Sequence, residues 1–220
     1  MIVTPRITLK LATSLDGKIA TSTRHSQWIT GPESRREVHR MRAAHDAVLT
    51  GIGTVLADNP QMTARDVDLP NGQPARVILD SSLRLPPDAK ILKSTGELVM
   101  VFHAPSQDYG RISVIQSTGA ICVEVGVSEP GLSLPAVLSA LSDRGVQSVM
   151  VEAGSSIATS FLKSGLVHRL EWFRAPMIIG NDGLSAIGHL GVSALDDAHK
   201  FVRKSVRSVG RDIWETYEKE

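Results

Sequence analysis

The chain has few of the residues that form disulfide frameworks, thiolate metal clusters or membrane spans. Its single cysteine, Cys122, excludes both an intramolecular disulfide framework and a thiolate-rich metal cluster. No run approaches the ~18 consecutive apolar residues of a membrane helix, and the N-terminus lacks the basic and apolar regions of a signal peptide. The single cysteine suits a reducing compartment, and the other two absences disfavour secretion and membrane spanning. We therefore expect a cytoplasmic location.

An excess of charge of either sign is also lacking, because 24 Lys and Arg side chains are balanced by 23 Asp and Glu side chains. The net charge of +1 gives no field that would gather nucleic acid or an anionic membrane. There is no internal repeat, charge block or low-complexity linker. We therefore predict one domain over residues 1–220, with a small molecule as its partner.

Common catalytic and metal-binding motifs are missing as well. The seven histidines form no His-x-x-x-His pair, so we predict no metal site and a structural role for each histidine. The zinc deaminase signature and the Gly-x-Ser-x-Gly elbow are absent. No Gly-x-Gly-x-x-Gly follows the first predicted strand, which excludes the standard dinucleotide fingerprint.

What is present is a regular alternation of strand and helix patterns. Residues 7–12 alternate apolar and polar side chains as a strand does, and residues 32–45 place apolar side chains at helical spacing. Further strands are predicted at residues 47–50, 76–80, 97–102, 121–125, 148–152 and 169–175, and helices at 134–144 and 155–164. Residues 200–209 and 212–217 predict a hairpin that turns at Gly210. The pattern predicts a three-layer α/β/α fold with a mixed, mainly parallel sheet and a C-terminal antiparallel hairpin.

Residues 149–158 combine a buried strand, a turn and the start of a helix. A helix N-terminus with small residues admits a phosphate or pyrophosphate. The alternative is a purely structural unit in which Ser155 is the N-cap. Glu152 ends the strand at the edge where α/β sheets bind ligands, and a local structural role is its alternative.

Arginines are concentrated in the helix predicted over residues 32–45, where most of them are expected on a solvated face. Arg42 differs, because it lies near the apolar Met41 and Val38 and can reach a pocket. Together with Arg65 and Lys10 it would supply three cations able to hold a ligand phosphate.

A series of co-linear motifs resembles the reductase domain of the bacterial riboflavin-biosynthesis deaminase and reductase. The motifs lie at residues 9–20, 26–31, 53–65, 77–81, 151–154 and 175–183. The resemblance covers nearly the whole chain. It implies a dihydrofolate-reductase-like fold, NADPH as hydride donor, and a phosphorylated ribosylamino-pyrimidine as the substrate whose ribosyl group is reduced to ribityl.

The same resemblance implies which residues form the site. Lys10 and Glu152 would act at the reacting sugar. The substrate-binding residues that it implies are Ser26, Arg42, Met62 and Arg65. The cofactor-binding residues that it implies are Ala12, Trp28, Thr54, Asp58, Ser81, Gly154, Ser155, Ser156, Ile157, Ala158, Thr159 and Ser160. The proton donor (Lys10, Glu152 or water) stays open, as does the ligand of the 2′-phosphate among Ser81, Ser82 and Arg84.

The sequence departs from the family pattern at Ala153, Asn59 and Asn181, and the methyl group of Ala153 would narrow the approach of a pyrophosphate. No deaminase half is present, so we expect that activity on a separate chain, and the family implies a homodimer. Two other functions stay open at this point. One is a reductase of the same fold that acts on a pteridine such as dihydrofolate or on another pyrimidine, and the other is a non-catalytic NADPH-binding subunit.

Overall fold

The computed structural model describes residues 4–93, 97–106, 108–129 and 131–220. The chain divides into two compact units. Unit 1 comprises residues 1–6 and 39–150, and unit 2 comprises residues 7–38 and 151–220.

Strands and helices alternate along most of the chain. The strands are β1 (Arg6–Thr13), β2 (Lys18–Ala20), β3 (Ala47–Gly51), β4 (Ala75–Leu79), β5 (Val99–His103), β6 (Ile121–Glu124), β7 (Val127–Ser128), β8 (Gly131–Leu132), β9 (Ser148–Val151), β10 (Arg169–Arg174), β11 (Leu184–Ser185), β12 (Phe201–Val209) and β13 (Asp212–Lys219). The helices are α1 (Pro32–Ala43), α2 (Ile52–Asp58), α3 (Tyr109–Gln116), α4 (Leu134–Ser142) and α5 (Ser155–Lys163). Two 3₁₀ turns lie at Lys90–Leu92 and Leu195–Asp197.

Unit 1 is built on strands in the order β9-β3-β4-β5-β6. β3 pairs with β4, β4 with β5 and β5 with β6, all in parallel. Every residue of β3 and β5 is buried, as is typical of parallel strands that are covered on both faces. Helices α2 and α3 contribute Ile52, Val55 and Ile115 to the apolar core that these strands share.

Unit 2 has the strand order β12-β13-β10-β1. β1 pairs with β10 in parallel, whereas β13 is antiparallel to both β10 and β12. The turn between β12 and β13 begins at Gly210, where φ is +58° and an added Cβ would lie 2.5 Å from Glu33 Oε2. Glycine is therefore required at this position both by the backbone and by the close approach. β2 and β11 form a separate antiparallel pair.

The fold class predicted from the sequence is confirmed in its mainly parallel strands and its C-terminal antiparallel hairpin. Observed helices are shorter than their patterns, since the helix predicted over residues 32–45 ends at Ala43 and the one predicted over 134–144 ends at Ser142. Helix α3 and the short strands β2, β7, β8 and β11 were not predicted.

Candidate active site

Lys10 and Glu152 form an ion pair in unit 2. Lys10 lies on β1 between the buried Leu9 and Leu11, and Glu152 directly follows β9. Lys10 Nζ is 3.7 Å from Glu152 Oε2, and the two side chains are only 16% and 10% exposed. Charges with so little access to water interact more strongly than they would at the surface. The pair offers an ammonium donor and a carboxylate acceptor close together.

A second carboxylate, that of Glu171, lies opposite Lys10 on the neighbouring strand β10. Glu171 is 2% exposed, and its Oε2 accepts from Trp214 Nε1 at 2.5 Å and from Thr216 Oγ1 at 2.7 Å. Its Oε1 accepts from Arg169 Nε. The buried charge therefore has the hydrogen bonds that burial demands. No sequence pattern pointed to this network, because its donors come from two strands that are distant in the chain.

Helix α5 begins at Ser155, and Gly154 is its N-cap with no side-chain hydrogen bond to the cap. The interpretation of Ser155 as the N-cap is therefore wrong: Ser155 is the first helical residue, and the extended backbone of Gly154 (φ −69°, ψ 174°) precedes it. A helix start without a side-chain cap presents backbone N–H groups to an anion.

The remaining predicted cofactor residues of α5 have mixed surroundings. Ala158 and Thr159 are buried, Ser156 is exposed, and Ile157 and Ser160 are half-buried. Thr159 Oγ1 donates to the Ser155 carbonyl at 2.6 Å and accepts from the Gly188 N–H at 2.7 Å. These bonds fix the segment around Gly188 against the first turn of the helix.

Trp28 presents a large aromatic ring at the surface of unit 2, where it is 64% exposed. Arg35 Cζ lies 4.5 Å from the centre of this ring, and Arg35 Nη1 donates to the Thr30 carbonyl at 2.7 Å. The stacked guanidinium orients the ring. Ser26 and Ala12 are both half-buried, and Ala12 shares a face of β1 with Lys10, two residues away.

In unit 1, Arg42 and Arg65 meet at the loop of residues 59–66. Arg42 Nη1 donates to the Thr63 carbonyl at 2.9 Å. Arg65 Nη1 donates to Thr63 Oγ1 at 3.1 Å and to Gln61 Oε1 at 2.9 Å. The structure thus brings the two predicted phosphate-binding arginines to a common loop. His39 also contacts this loop, although sequence reasoning had given it only a structural role.

The loop is held by contacts beyond the two arginines. Gln73 accepts from the Ala64 N–H at 2.9 Å and donates to the Ala64 carbonyl at 2.7 Å. Met62 is buried and has φ +57°, a conformation that non-glycine residues adopt at some cost. Asn59 ends α2 in the left-handed region, and its Oδ1 accepts from the Lys90 N–H at 2.8 Å. The predicted substrate residue Met62 is therefore an anchor of the loop.

The other predicted cofactor residues of unit 1 lie near the ends of two elements. Thr54 is half-buried in α2, and Asp58 is the exposed last residue of that helix. Ser81 is exposed in the turn that follows β4, together with Ser82 and Arg84. The buried Asp80 supports this turn, because its Oδ2 accepts from the Leu85 N–H at 2.7 Å.

Asp16 organises the loop that follows β1. Its carboxylate accepts from Ser14 Oγ at 2.5 Å, from the Gly180 N–H at 2.7 Å and from the Ile179 N–H at 3.1 Å. These hydrogen bonds, with that from Ser14 the largest contribution, lower the pKa of Asp16 from 3.8 to about 2.

Substituting Asp16→Asn should reduce the dependence of the folding stability on pH in the acid range. Because the folded-state pKa is depressed, ionised Asp16 stabilises the fold above about pH 4 and loses this effect as the pH falls towards about 2. We expect lower urea midpoints for the variant near neutral pH and convergence with the unsubstituted protein in acid. Asp196→Asn, at an exposed side chain, is the control and should match the unsubstituted protein throughout. A difference for Asp16→Asn that is constant with pH would contradict the prediction.

No cluster of three or more His, Cys, Asp or Glu side chains within residues 4–93, 97–106, 108–129 and 131–220 has a metal-binding arrangement. In the same ranges, no helix combines the length and the apolar character needed to cross a membrane.

The fold is that of dihydrofolate reductase. The chain superposes on dihydrofolate reductase from Enterococcus faecalis with a TM-score of 0.54 and 13% identity, covering 98% of this chain and 96% of that one. On Acinetobacter baumannii RibD the TM-score is 0.85 and the identity 31%, covering 99% of this chain and 58% of that one.

Residues 5–214 match the family model described as the RibD C-terminal domain, and the chain belongs to this family. The family resemblance seen in the sequence is thereby confirmed. The chain spans little more than half the length of the RibD relatives that it matches. It is also 35% identical over 211 residues to the 2,5-diamino-6-ribosylamino-4(3H)-pyrimidinone 5′-phosphate reductase of Methanothermobacter thermautotrophicus, covering 95% of both chains.

Proposed function

We propose that the chain is an NADPH-dependent pyrimidine reductase of riboflavin biosynthesis. It converts the ribosyl group of a phosphorylated ribosylamino-pyrimidine, 5-amino-6-(5-phosphoribosylamino)uracil or its 2,5-diamino form, to ribityl. The observation that carries the proposal is the match to the M. thermautotrophicus reductase over 95% of both chains. The family match over residues 5–214 supports a single reductase domain across residues 1–220.

The residues at the start of α5 fit a dinucleotide. Gly154 leaves the helix N-terminus without a side-chain cap, and Ser155 and Ser156 follow as small residues. This is the arrangement that binds a pyrophosphate through backbone N–H groups. NADPH supplies the hydride when it is bound. Ala12 and Trp28 in unit 2, and Thr54, Asp58 and Ser81 in unit 1, are the further residues that we assign to the cofactor.

The ion pair of Lys10 and Glu152 positions the sugar of the substrate. Reduction of an open-chain imine adds a hydride to C1 and a proton to the nitrogen. The Lys10 ammonium donates hydrogen bonds to the sugar, and the Glu152 carboxylate, 3.7 Å away, holds the ammonium and accepts from a sugar hydroxyl. Ser26 is assigned to the substrate with them.

Arg42 and Arg65 bind the substrate phosphate, and Met62 anchors the loop that carries Arg65. Both guanidinium groups already hydrogen-bond to Thr63, so little side-chain freedom is lost when an anion arrives. Planar guanidinium groups give paired, charge-assisted hydrogen bonds to phosphate oxygens.

Replacing Arg42 with alanine should raise KM for the phosphorylated substrate about 10- to 150-fold, because a charge-assisted hydrogen bond contributes about 1.5 to 3 kcal/mol. Steady-state kinetics at saturating NADPH measure the effect. Arg36→Ala, at an exposed arginine six residues earlier in the same helix, is the matched control and should leave KM unchanged. An unchanged KM for Arg42→Ala would remove Arg42 from the phosphate site.

A homodimer that pairs through β12 is the second part of the proposal. Among the described residues, β12 pairs with β13 alone, and it exposes Val202 and Val206 at 42% and 50%. An exposed edge strand with apolar side chains is a template for pairing with a second copy.

Light scattering should give twice the 23.7 kDa mass of the chain. Introducing lysine at both Val202 and Val206 should halve this mass, because edge lysines oppose strand pairing. Lysine at the exposed Val127 should leave it unchanged. A monomeric unsubstituted protein would refute the dimer.

The decisive assay follows NADPH oxidation by its nicotinamide absorbance with two additions in parallel, the phosphorylated ribosylamino-pyrimidine and dihydrofolate. Turnover with the phosphorylated ribosylamino-pyrimidine alone is the expected result. Turnover with dihydrofolate instead would favour a pteridine reductase, and NADPH binding without oxidation would favour a non-catalytic subunit. A cytoplasmic location is part of the proposal and is supported by the free Cys122.

A further inference from the structure

His39 contacts the same loop as the two arginines of the proposed phosphate site. It lies on α1 three residues before Arg42, so both side chains project from one face of the helix. His39 Nδ1 lies 3.2 Å from the Thr63 carbonyl and accepts from the Arg65 N–H, also at 3.2 Å. His39 Nε2 lies 3.5 Å from Arg65 Nη2.

The chemistry of the imidazole ring suits a neighbour that carries only donors. A neutral histidine has one N–H donor and one acceptor nitrogen. With the hydrogen on Nε2, Nδ1 accepts from the Arg65 backbone, and with the hydrogen on Nδ1, the ring donates to the Thr63 carbonyl while Nε2 faces the Arg65 guanidinium. Either tautomer ties Arg65 to helix α1.

The contacts of Arg65 restrict the freedom of its side chain. Its Nη1 is held by Gln61 and Thr63, and its Nη2 faces His39, yet the residue is exposed. An exposed arginine normally samples many rotamers, and the freedom that it loses on binding weakens the complex. With the hydrogen of His39 on Nδ1, Nε2 accepts from Arg65 Nη2, so the guanidinium is held from both sides before the anion arrives.

We propose that His39 is a positioning residue of the phosphate site, which fixes Arg65 and thereby favours phosphorylated over unphosphorylated substrate. The proposal rests on the proposed function, because the phosphate belongs to that substrate. His39 acts through Arg65 and does not itself contact the reacting atoms.

Three substitutions separate this role from a general structural one. His39→Ala should raise KM for the phosphorylated substrate about 3- to 10-fold, the range of one lost hydrogen bond, with kcat and KM for the dephosphorylated substrate unchanged. His39→Gln should restore most of the lost affinity, because the amide oxygen of glutamine reaches the position of Nε2 and can accept from Arg65 Nη2. His45→Ala, which removes a histidine bound to the Met41 carbonyl of the same helix, is the control and should change neither KM.

The effect must also depend on Arg65. In an Arg65→Ala background, His39→Ala should cause no further rise in KM, since the two residues act as one unit. An equal rise in KM for both substrates, or a full effect of His39→Ala without Arg65, would overturn the proposal. Equal thermal unfolding of the variants and the unsubstituted protein checks that each is folded.

A binding measurement keeps this test independent of turnover. Calorimetric titration with ribose 5-phosphate should give weaker binding to His39→Ala than to the unsubstituted protein. If the protein oxidises no NADPH yet shows this difference, the proposed function fails and the role of His39 stands. If ribose 5-phosphate does not bind to the unsubstituted protein, or binds equally to both, the role of His39 fails.

Discussion

Replacing Lys10 with methionine should reduce kcat about 100- to 1,000-fold, the usual effect of removing a preorganised donor from an enclosed site. The affinity for NADPH should not change, because the first turn of α5 and Trp28 keep their contacts. Stopped-flow reduction of the phosphorylated ribosylamino-pyrimidine, together with a fluorescence titration of NADPH, measures the two quantities separately.

The reason for so large an effect lies in the geometry of the ion pair. The 3.7 Å separation of Lys10 Nζ and Glu152 Oε2, with both side chains mostly buried, fixes the ammonium before the substrate binds. A fixed charge in a poorly solvated site does not have to reorganise during the reaction. Methionine preserves most of the volume of the lysine stem and removes only the charge and the donors.

A double-mutant cycle tests whether the two residues act as a pair. Glu152→Gln should also reduce kcat, and the combination of Lys10→Met with Glu152→Gln should be about as slow as Lys10→Met alone. Lys163→Met, at an exposed lysine in the last turn of α5, should leave kcat unchanged. A kcat for Lys10→Met within about threefold of the unsubstituted protein would remove Lys10 from the reaction.

Most strands of the fold could be predicted from the sequence, because a strand is a local pattern. The alternation over residues 7–12 and the apolar runs at 47–50 and 148–152 gave strands within one or two residues of β1, β3 and β9. The C-terminal hairpin could be predicted for the same reason, since Gly210 separates two strand patterns.

Helix α3 shows where local pattern fails. Its sequence places Gly110 in the first turn and the β-branched Ile112, Val114 and Ile115 after it, all of which lower helix propensity. The signal that could have found it is Asp108, whose side chain accepts from the Arg111 N–H at 2.9 Å as an N-cap. Burial of Ile115 then compensates for the weak propensity.

The candidate site could be predicted by residue type but not by arrangement. Arg42 and Arg65 are suited to a phosphate by their chemistry alone, yet their meeting at Thr63 depends on the loop conformation. That conformation is set by the left-handed backbone of Met62 and by the clamp of Gln73 on Ala64, which are tertiary contacts. His39 was missed because its spacing from Arg42 is meaningful only once the loop is known.

Arg76 is a further feature that no pattern revealed, because it stands in a strand whose other residues are apolar. It is 1% exposed, with Nη1 donating to the Ile91 carbonyl at 2.8 Å and Nη2 lying 3.3 Å from Glu97 Oε2. Burial lowers the pKa of the Arg76 guanidinium, and the charge of Glu97 partly opposes this change. The guanidinium thus joins β4 to the 3₁₀ turn at Lys90–Leu92 and to the residue two before β5.

Substituting Arg76→Met should therefore lower the free energy of unfolding by about 3 kcal/mol, towards the lower end of the range for breaking a buried ion pair, because Glu97 stays 20% exposed. Urea unfolding followed by circular dichroism measures the loss. Arg76→Lys keeps the charge but cannot bridge the carbonyl and the carboxylate together. Its free energy of unfolding should therefore lie between those of Arg76→Met and the unsubstituted protein. Arg144→Met, at an exposed arginine, is the control and should change stability by less than about 0.5 kcal/mol. An Arg76→Met variant that unfolds at the same urea concentration as the unsubstituted protein would show that the contacts of Arg76 with the Ile91 carbonyl and Glu97 contribute nothing to stability. Apolar packing alone would then hold β4 in place.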